Sequence, residues 1–211
     1  MNVLQFVIQN HNEVLELTLE HLWMVVISTL FAVVIGIPLG ILITRRPGWN
    51  KPVLGTVNVI QVIPSLALFG FLLPVPWIGA SSERLAVLAL TLYALLPLIR
   101  NTYAGIKGVD PAVVEAGRGM GMTDRQLLLQ VELPLALSVI IAGVRVATVI
   151  SVGVATIAAA IGAGGLGVFI FRGVAMVDNR MILAGALPAA ALAVGADLAL
   201  AAVERRVRPS R

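Results

Sequence analysis

Twenty-three consecutive residues, Leu22 to Thr44, carry no ionisable group, and the double arginine and Pro47-Gly48 stop the run. About 20 mostly apolar residues suffice to cross the hydrocarbon core of a bilayer as a helix. The run is not read as a cleaved signal peptide, because an acidic leader with Glu13, Glu16 and Glu20 precedes it and no basic stretch does. Composition says the same of the whole chain: 59% of its 211 residues are hydrophobic and 12% charged. A soluble domain runs at about 25% charged, and a water-exposed sphere of this size could not hide so much apolar surface. Soluble enzymes, disordered chains and nucleic-acid-binding modules are thereby set aside. With no cysteine and only His11 and His21, no disulfide, thiolate site or multi-histidine metal site is expected. No catalytic residues are read from the chain.

The spacing of charges divides the remainder. Pro52 to Ser82 is again free of charge, and Pro64, Pro74 and Pro76 predict a kinked helix ending in an irregular turn. The expectation is an all-α integral membrane protein with five spans, at about 22–44, 52–77, 84–105, 135–158 and 181–203, forming one domain over 1–211. Gly162 to Gly167 and the apolar residues after it are too short and glycine-rich for a further span, and read as a turn plus an interfacial or re-entrant piece.

Five spans put the termini on opposite sides. Arg45, Arg46, Lys51, Arg100, Lys107, Arg118, Arg125, Arg205, Arg206, Arg208 and Arg211 fall on one side, and Arg84, Arg172 and Arg180 on the other. The positive-inside bias makes the first side cytoplasmic, with the N-terminus outside and the C-terminus inside. The net charge of +4 then reports orientation rather than an acidic partner.

The longest polar segment, 107–134, lies on that cytoplasmic side. Asp110 with Pro111 predicts the start of one short helix, which Gly119 and Gly121 break. Thr123 and Gln126 match a capping box opening a second, and Pro134 is expected to end the loop before the fourth span. On physics alone, an amphipathic connector lying on the membrane surface fits as well.

The loop also resembles a known pattern. Glu115-Ala116-Gly117, three residues, Gly121, nine residues, Val131, one residue and Leu133-Pro134 are similar to the cytoplasmic loop of ABC importer permeases. There the pattern reads Glu-Ala-Ala, three residues, Gly, nine residues, Ile, any residue, Leu-Pro. Gly117 and Val131 are the two departures. Thr18 to Leu22, Ile37-Pro38-Leu39-Gly40 and the Gly162–Gly167 element resemble the permeases of glycine betaine, choline and carnitine importers. The last element is shared with methionine importer permeases. The resemblance implies the type I importer permease fold of the methionine-importer kind, in a bacterial inner membrane. It implies that the loop is a coupling helix docking on a separate ATP-binding subunit, with Glu115, Ala116, Gly117, Gly121, Leu133 and Pro134 as its motif residues. It implies a second permease copy or paralogue and an extracytoplasmic solute-binding protein. No cofactor is implied in this chain, ATP and magnesium belonging to the partner ATPase; lipid surrounds the spans, and no nucleic acid is involved.

Three further features have readings of their own. Gly143, Ala147, Ser151, Ala155 and Ala159 repeat every fourth residue and so share a helix face. Such a ridge either packs helices within one chain or lines a subunit interface and central passage. Gly36 and Gly40 give span one the same spacing. Arg145 and Asp197 lie roughly 15 and 10 Å inside their spans at about 1.5 Å per residue, where charge is expensive. They form an ion pair, or each faces a cavity or snorkels separately. His21 is read as an interfacial cap, and Trp23, Trp49 and Trp77 as membrane-edge anchors that are not clustered as an aromatic cage. The competing functions are a methionine-type or other small-solute importer permease and, in another class, a secondary transporter or channel. The chain has no Walker A motif, so it is not read as the ATPase.

Overall fold

The computed structural model describes residues 3–207, and every regular element among them is helical. Arg208 and Arg211, two of the basic residues used for orientation, lie outside the described residues.

Helix α1 (Val3–Gln9) ends at Asn10, whose Nδ2 donates to the Phe6 carbonyl at 2.8 Å. Helix α2 (His11–Arg45) is 35 residues long, about 52 Å at 1.5 Å per residue, against a hydrocarbon core of about 30 Å. The acidic leader is therefore part of the first helix and carries it beyond the apolar run. Leu17, His21, Met24, Val25, Ser28, Ala32, Gly36, Gly40 and Ile43 form its buried stripe.

The kink expected in the 52–77 stretch is a sharp break between two helices. Helix α3 (Pro47–Val62) and helix α4 (Ser65–Leu72) meet at 103°. The cause is local: Pro64 lacks an N–H and disfavours helical backbone at the residue before it, and Ile63 is extended at φ −62°, ψ 127°. The Tyr93 hydroxyl donates to the Ile63 carbonyl that the break leaves free. From Leu73 the chain turns irregularly to Ser81, with Trp77 in the left-handed region at φ 71°.

Helix α5 (Ser82–Lys107) is the central strut, buried along most of its length. Gly36 and Gly40 explain how closely α2 approaches it: a Cβ on them would stand 3.0 Å from Leu98 Cβ and 2.6 Å from Thr102 Cβ. The GxxxG spacing of span one is thus used inside a single chain. Helices α6 (Pro111–Gly119) and α7 (Asp124–Leu127) follow. A π-helical turn, Leu128–Glu132, then leads into helix α8 (Leu133–Ala158). Pro134 does not end a loop here. It sits in the first turn of α8, within a helix that runs unbroken from Asp124 to Ile161. In the wider π turn the Leu133 N–H reaches back five residues to the Leu128 carbonyl, so the proline ring is accommodated without a break.

Past the turn at Gly162–Leu166, helix α9 (Gly167–Met176) is apolar but only 10 residues long. Helix α10 (Asn179–Val207) closes the chain. Before it, Asp178 accepts from Arg180, which holds its carboxyl below the usual carboxylate range. Four helices are long and apolar enough to cross a membrane, and the bent α3–α4 pair makes a fifth span if counted as one.

The core is built where α2, α5 and α8 converge. One apolar cluster joins Met24, Phe69, Leu85, Leu90, Val152 and Ala155, and a second joins Ala32, Val57, Leu98, Ile99 and Ala147. Helix α10 buries little of itself, and Leu187, Val194 and Leu198 are more than half exposed.

Candidate functional site

The polar segment 107–134 folds by short-range rules. Asp110 Oδ1 accepts from the Ala112 N–H at 2.8 Å and caps α6, with Pro111 at its first position. Thr123 and Gln126 bond reciprocally as a capping box and open α7. Between the helices Gly121 is left-handed at φ 81°, a conformation glycine adopts without steric cost. The chain reverses there, and the Met122 N–H donates to the Gly117 carbonyl at 3.1 Å.

Glu115 and Ala116 are exposed on α6. Gly117 is buried, and a Cβ there would stand 2.8 Å from Leu127 Cδ1 and 3.2 Å from Met122 Sδ. An unbranched backbone at 117 therefore lets α6 rest directly on α7. Leu133 is half-buried and Pro134 exposed. Met120, at the end of α6, is 77% exposed, while Val113 faces a pocket it shares with Ala104, Gly105, Leu135 and Val139. The result is a short, mostly exposed helix with one carboxylate, backed by a second helix continuous with a spanning one.

The small-residue ridge lies elsewhere. Gly143, Ala147, Ser151 and Ala155 are buried in one chain, and Ala159 is half-buried in a 3-10 turn. A Cβ at Gly143 would stand 2.7 Å from Asn101 Cβ, so this face is closed off against α5. Arg145 projects from another face of α8. Its Nε donates to Asp197 Oδ1 at 2.5 Å and its Nη2 to Oδ2 at 2.9 Å, and Glu204 Oε2 lies 3.5 Å from Nη1.

At the opposite end of the bundle, His21 is not an interfacial cap. It is fully buried, with Nε2 3.2 Å from the Val152 carbonyl. The glycine turn lies over it. Gly164 and Gly165 are left-handed, and the Gly165 N–H donates to Glu20 Oε2 at 2.9 Å. Trp23, Trp49 and Trp77 are exposed, and Arg84, which lines one apolar pocket with Trp23 and Phe31, stacks over Trp77 at 5.6 Å. The described residues hold no cluster of His, Asp and Glu fit for a metal ion.

A helical bundle with a two-helix polar loop joined to a spanning helix is an architecture that known proteins share. Residues 36–209 match the family described as the binding-protein-dependent transport system inner membrane component. The chain belongs to this family. The permease is 48% identical over 202 residues to the glycine betaine/carnitine/choline transport system permease protein OpuCD of Bacillus subtilis, covering 95% of this chain and 87% of that protein. It is 42% identical over 207 residues to the carnitine transport permease protein OpuCB of Listeria monocytogenes, covering 98% and 94%. It is 44% identical over 199 residues to the osmoprotectant import permease protein OsmW of Salmonella typhimurium, covering 93% of each. In structure it is similar to the inward-facing MetNI methionine ABC transporter, with a TM-score of 0.85 and 26% identity over 93% of this chain and 97% of that one. An amino acid ABC transporter solved with histidines shares the fold, with a TM-score of 0.79 at 19% identity over 98% and 99%. The permease is a multi-pass transport subunit of the inner membrane and not an enzyme.

Sequence reasoning missed one close contact at the loop. Arg45, the last residue of α2, forms a two-point ion pair with Glu132, which is 4% exposed. Glu132 occupies the unspecified position of the loop pattern, so the pattern gave no signal for it.

Proposed function

We propose that this permease forms the translocation pathway of an ATP-driven importer for quaternary ammonium osmoprotectants: glycine betaine, choline and carnitine. It works as a dimer with a second copy or a paralogue. A solute-binding protein delivers substrate outside, and separate ATP-binding subunits carrying ATP and magnesium drive the cycle inside. The N-terminus is outside, and the loop 107–134 docks on the ATPase through Glu115, Ala116, Gly117, Gly121, Leu133 and Pro134. Exposure of Glu115, on a helix braced by α7, supports a docking role. The buried ridge on α8 serves packing, and the Arg145–Asp197 pair ties α8 to α10.

The observation that carries the substrate class is the 40–48% identity, over nearly the whole chain, to permeases named for choline, carnitine and glycine betaine. The methionine-type reading rests on 26% identity to the MetNI permease, a weaker likeness. Family membership leaves the channel and secondary-transporter reading without support.

Uptake of radiolabelled choline, glycine betaine and carnitine into proteoliposomes holding the permease, its ATP-binding subunit and its solute-binding protein tests this. ATP-dependent uptake of at least one, resistant to excess methionine, is expected. Uptake of methionine alone would overturn the substrate class.

A further inference from the structure

Resting on the reading of 107–134 as a coupling loop, we propose that the Arg45–Glu132 ion pair is the tie that carries the loop's motion into α2. In this role Glu132 is a positioning residue across the π-helical turn.

Leu128–Glu132 is π-helical between α7 and α8. Such turns hold one extra residue, bond less favourably than the α-helix and gather at functional sites. A push on α6 reaches α7 through the close Gly117–Leu127 contact. From α7 it enters the π turn, where a soft element would absorb it by bending. Glu132 is the last residue of that turn and is almost fully buried. Both its carboxylate oxygens accept from the Arg45 guanidinium. The forked pair fixes distance and direction together, so the exit of the turn is held to the end of α2.

What α2 receives, α5 shares. The Gly36 and Gly40 approaches lock α2 against Leu98 and Thr102. Three spanning helices are thereby linked along the loop end of α2, through Arg45, Gly40 and Gly36. Stability alone does not account for a charge pair there, because the Arg45 side chain is 32% exposed and ion pairs that reach solvent contribute little. A directional constraint does.

The test uses the assembled complex of permease, ATP-binding subunit and solute-binding protein in proteoliposomes. Three quantities are read: assembly, ATP hydrolysis, and solute imported per ATP hydrolysed. Glu132→Gln is expected to assemble and hydrolyse ATP, while import per ATP falls roughly tenfold, within the range that changes along a coupling network produce. Arg45→Lys, which keeps the charge and loses the fork, is expected to fall in the same direction and carries the test if Glu132→Gln does not assemble. Import per ATP unchanged in the assembled variant would overturn the proposal. So would a loss of transport that only follows the loss of assembled complex. The ratio is measured with whichever solute the wild type imports, so a wrong substrate class would leave this result standing.

Discussion

Arg145 and Asp197, 52 residues apart, face each other as a fork, with Nε to Oδ1 at 2.5 Å and Nη2 to Oδ2 at 2.9 Å. Both side chains remain about a third exposed on the surface of one chain, at 34% and 35%. Glu204 adds one longer contact at 3.5 Å. Asp197→Asn should therefore lower the yield of monodisperse protein more than Glu204→Gln does. The double reversal Arg145→Asp with Asp197→Arg should recover what either reversal loses. Size-exclusion profiles and thermal midpoints in detergent give the ranking.

Close approach of α2 to α5 predicts an asymmetry among glycines. Gly40→Val would press on Thr102 and on the Ile99 carbonyl, 3.1 Å from the new Cβ, and should cost about 1–3 kcal/mol, as overpacking does. Gly55→Ala meets nothing within 4 Å, and inside α3 should be neutral or stabilising by up to about 1 kcal/mol. Thermal unfolding of the two variants side by side checks the difference.

Tyr93 holds the broken span. Tyr93→Phe keeps the ring and removes the donor to the Ile63 carbonyl. A partly buried acceptor left alone costs at most about 1–3 kcal/mol. Hydrogen exchange should rise locally around 60–66 and stay unchanged in α5 away from the site.

In the loop, Gly121→Ala forces a side chain into φ 81° with open space around it. The cost is then backbone strain alone, about 1–2 kcal/mol. Gly119→Ala, at an unstrained helical position, should leave the loop intact. Affinity for the isolated ATP-binding subunit, measured for both, should fall only for Gly121→Ala.

Some of this was legible without coordinates because it is governed by short-range rules. The charge-free runs placed the spanning helices, and the Asp110 cap and the Thr123–Gln126 capping box are written within four residues of sequence. What the sequence hid depends on partners far along the chain. Glu132 looked like a spacer until Arg45, 87 residues away, closed on it. His21 looked like an end residue because its burial depends on Val152 and the glycine turn. The stretch from Pro52 to Ser82 carries four prolines, but only the backbone at Ile63 shows that Pro64 breaks the helix while Pro38, Pro52, Pro97 and Pro188 are carried inside helices. Pro134 likewise stays inside a continuous helix, because the π turn before it accommodates the ring.

The central claim is that α6 is where a separate ATPase grips this permease. Co-purification with the ATP-binding subunit, comparing wild type with Glu115→Lys, tests it most directly, because Glu115 is exposed and its replacement should leave the fold of the permease intact. A folded variant that has lost the ATPase and its ATP-driven uptake is the predicted result. An undiminished complex with undiminished transport would contradict it.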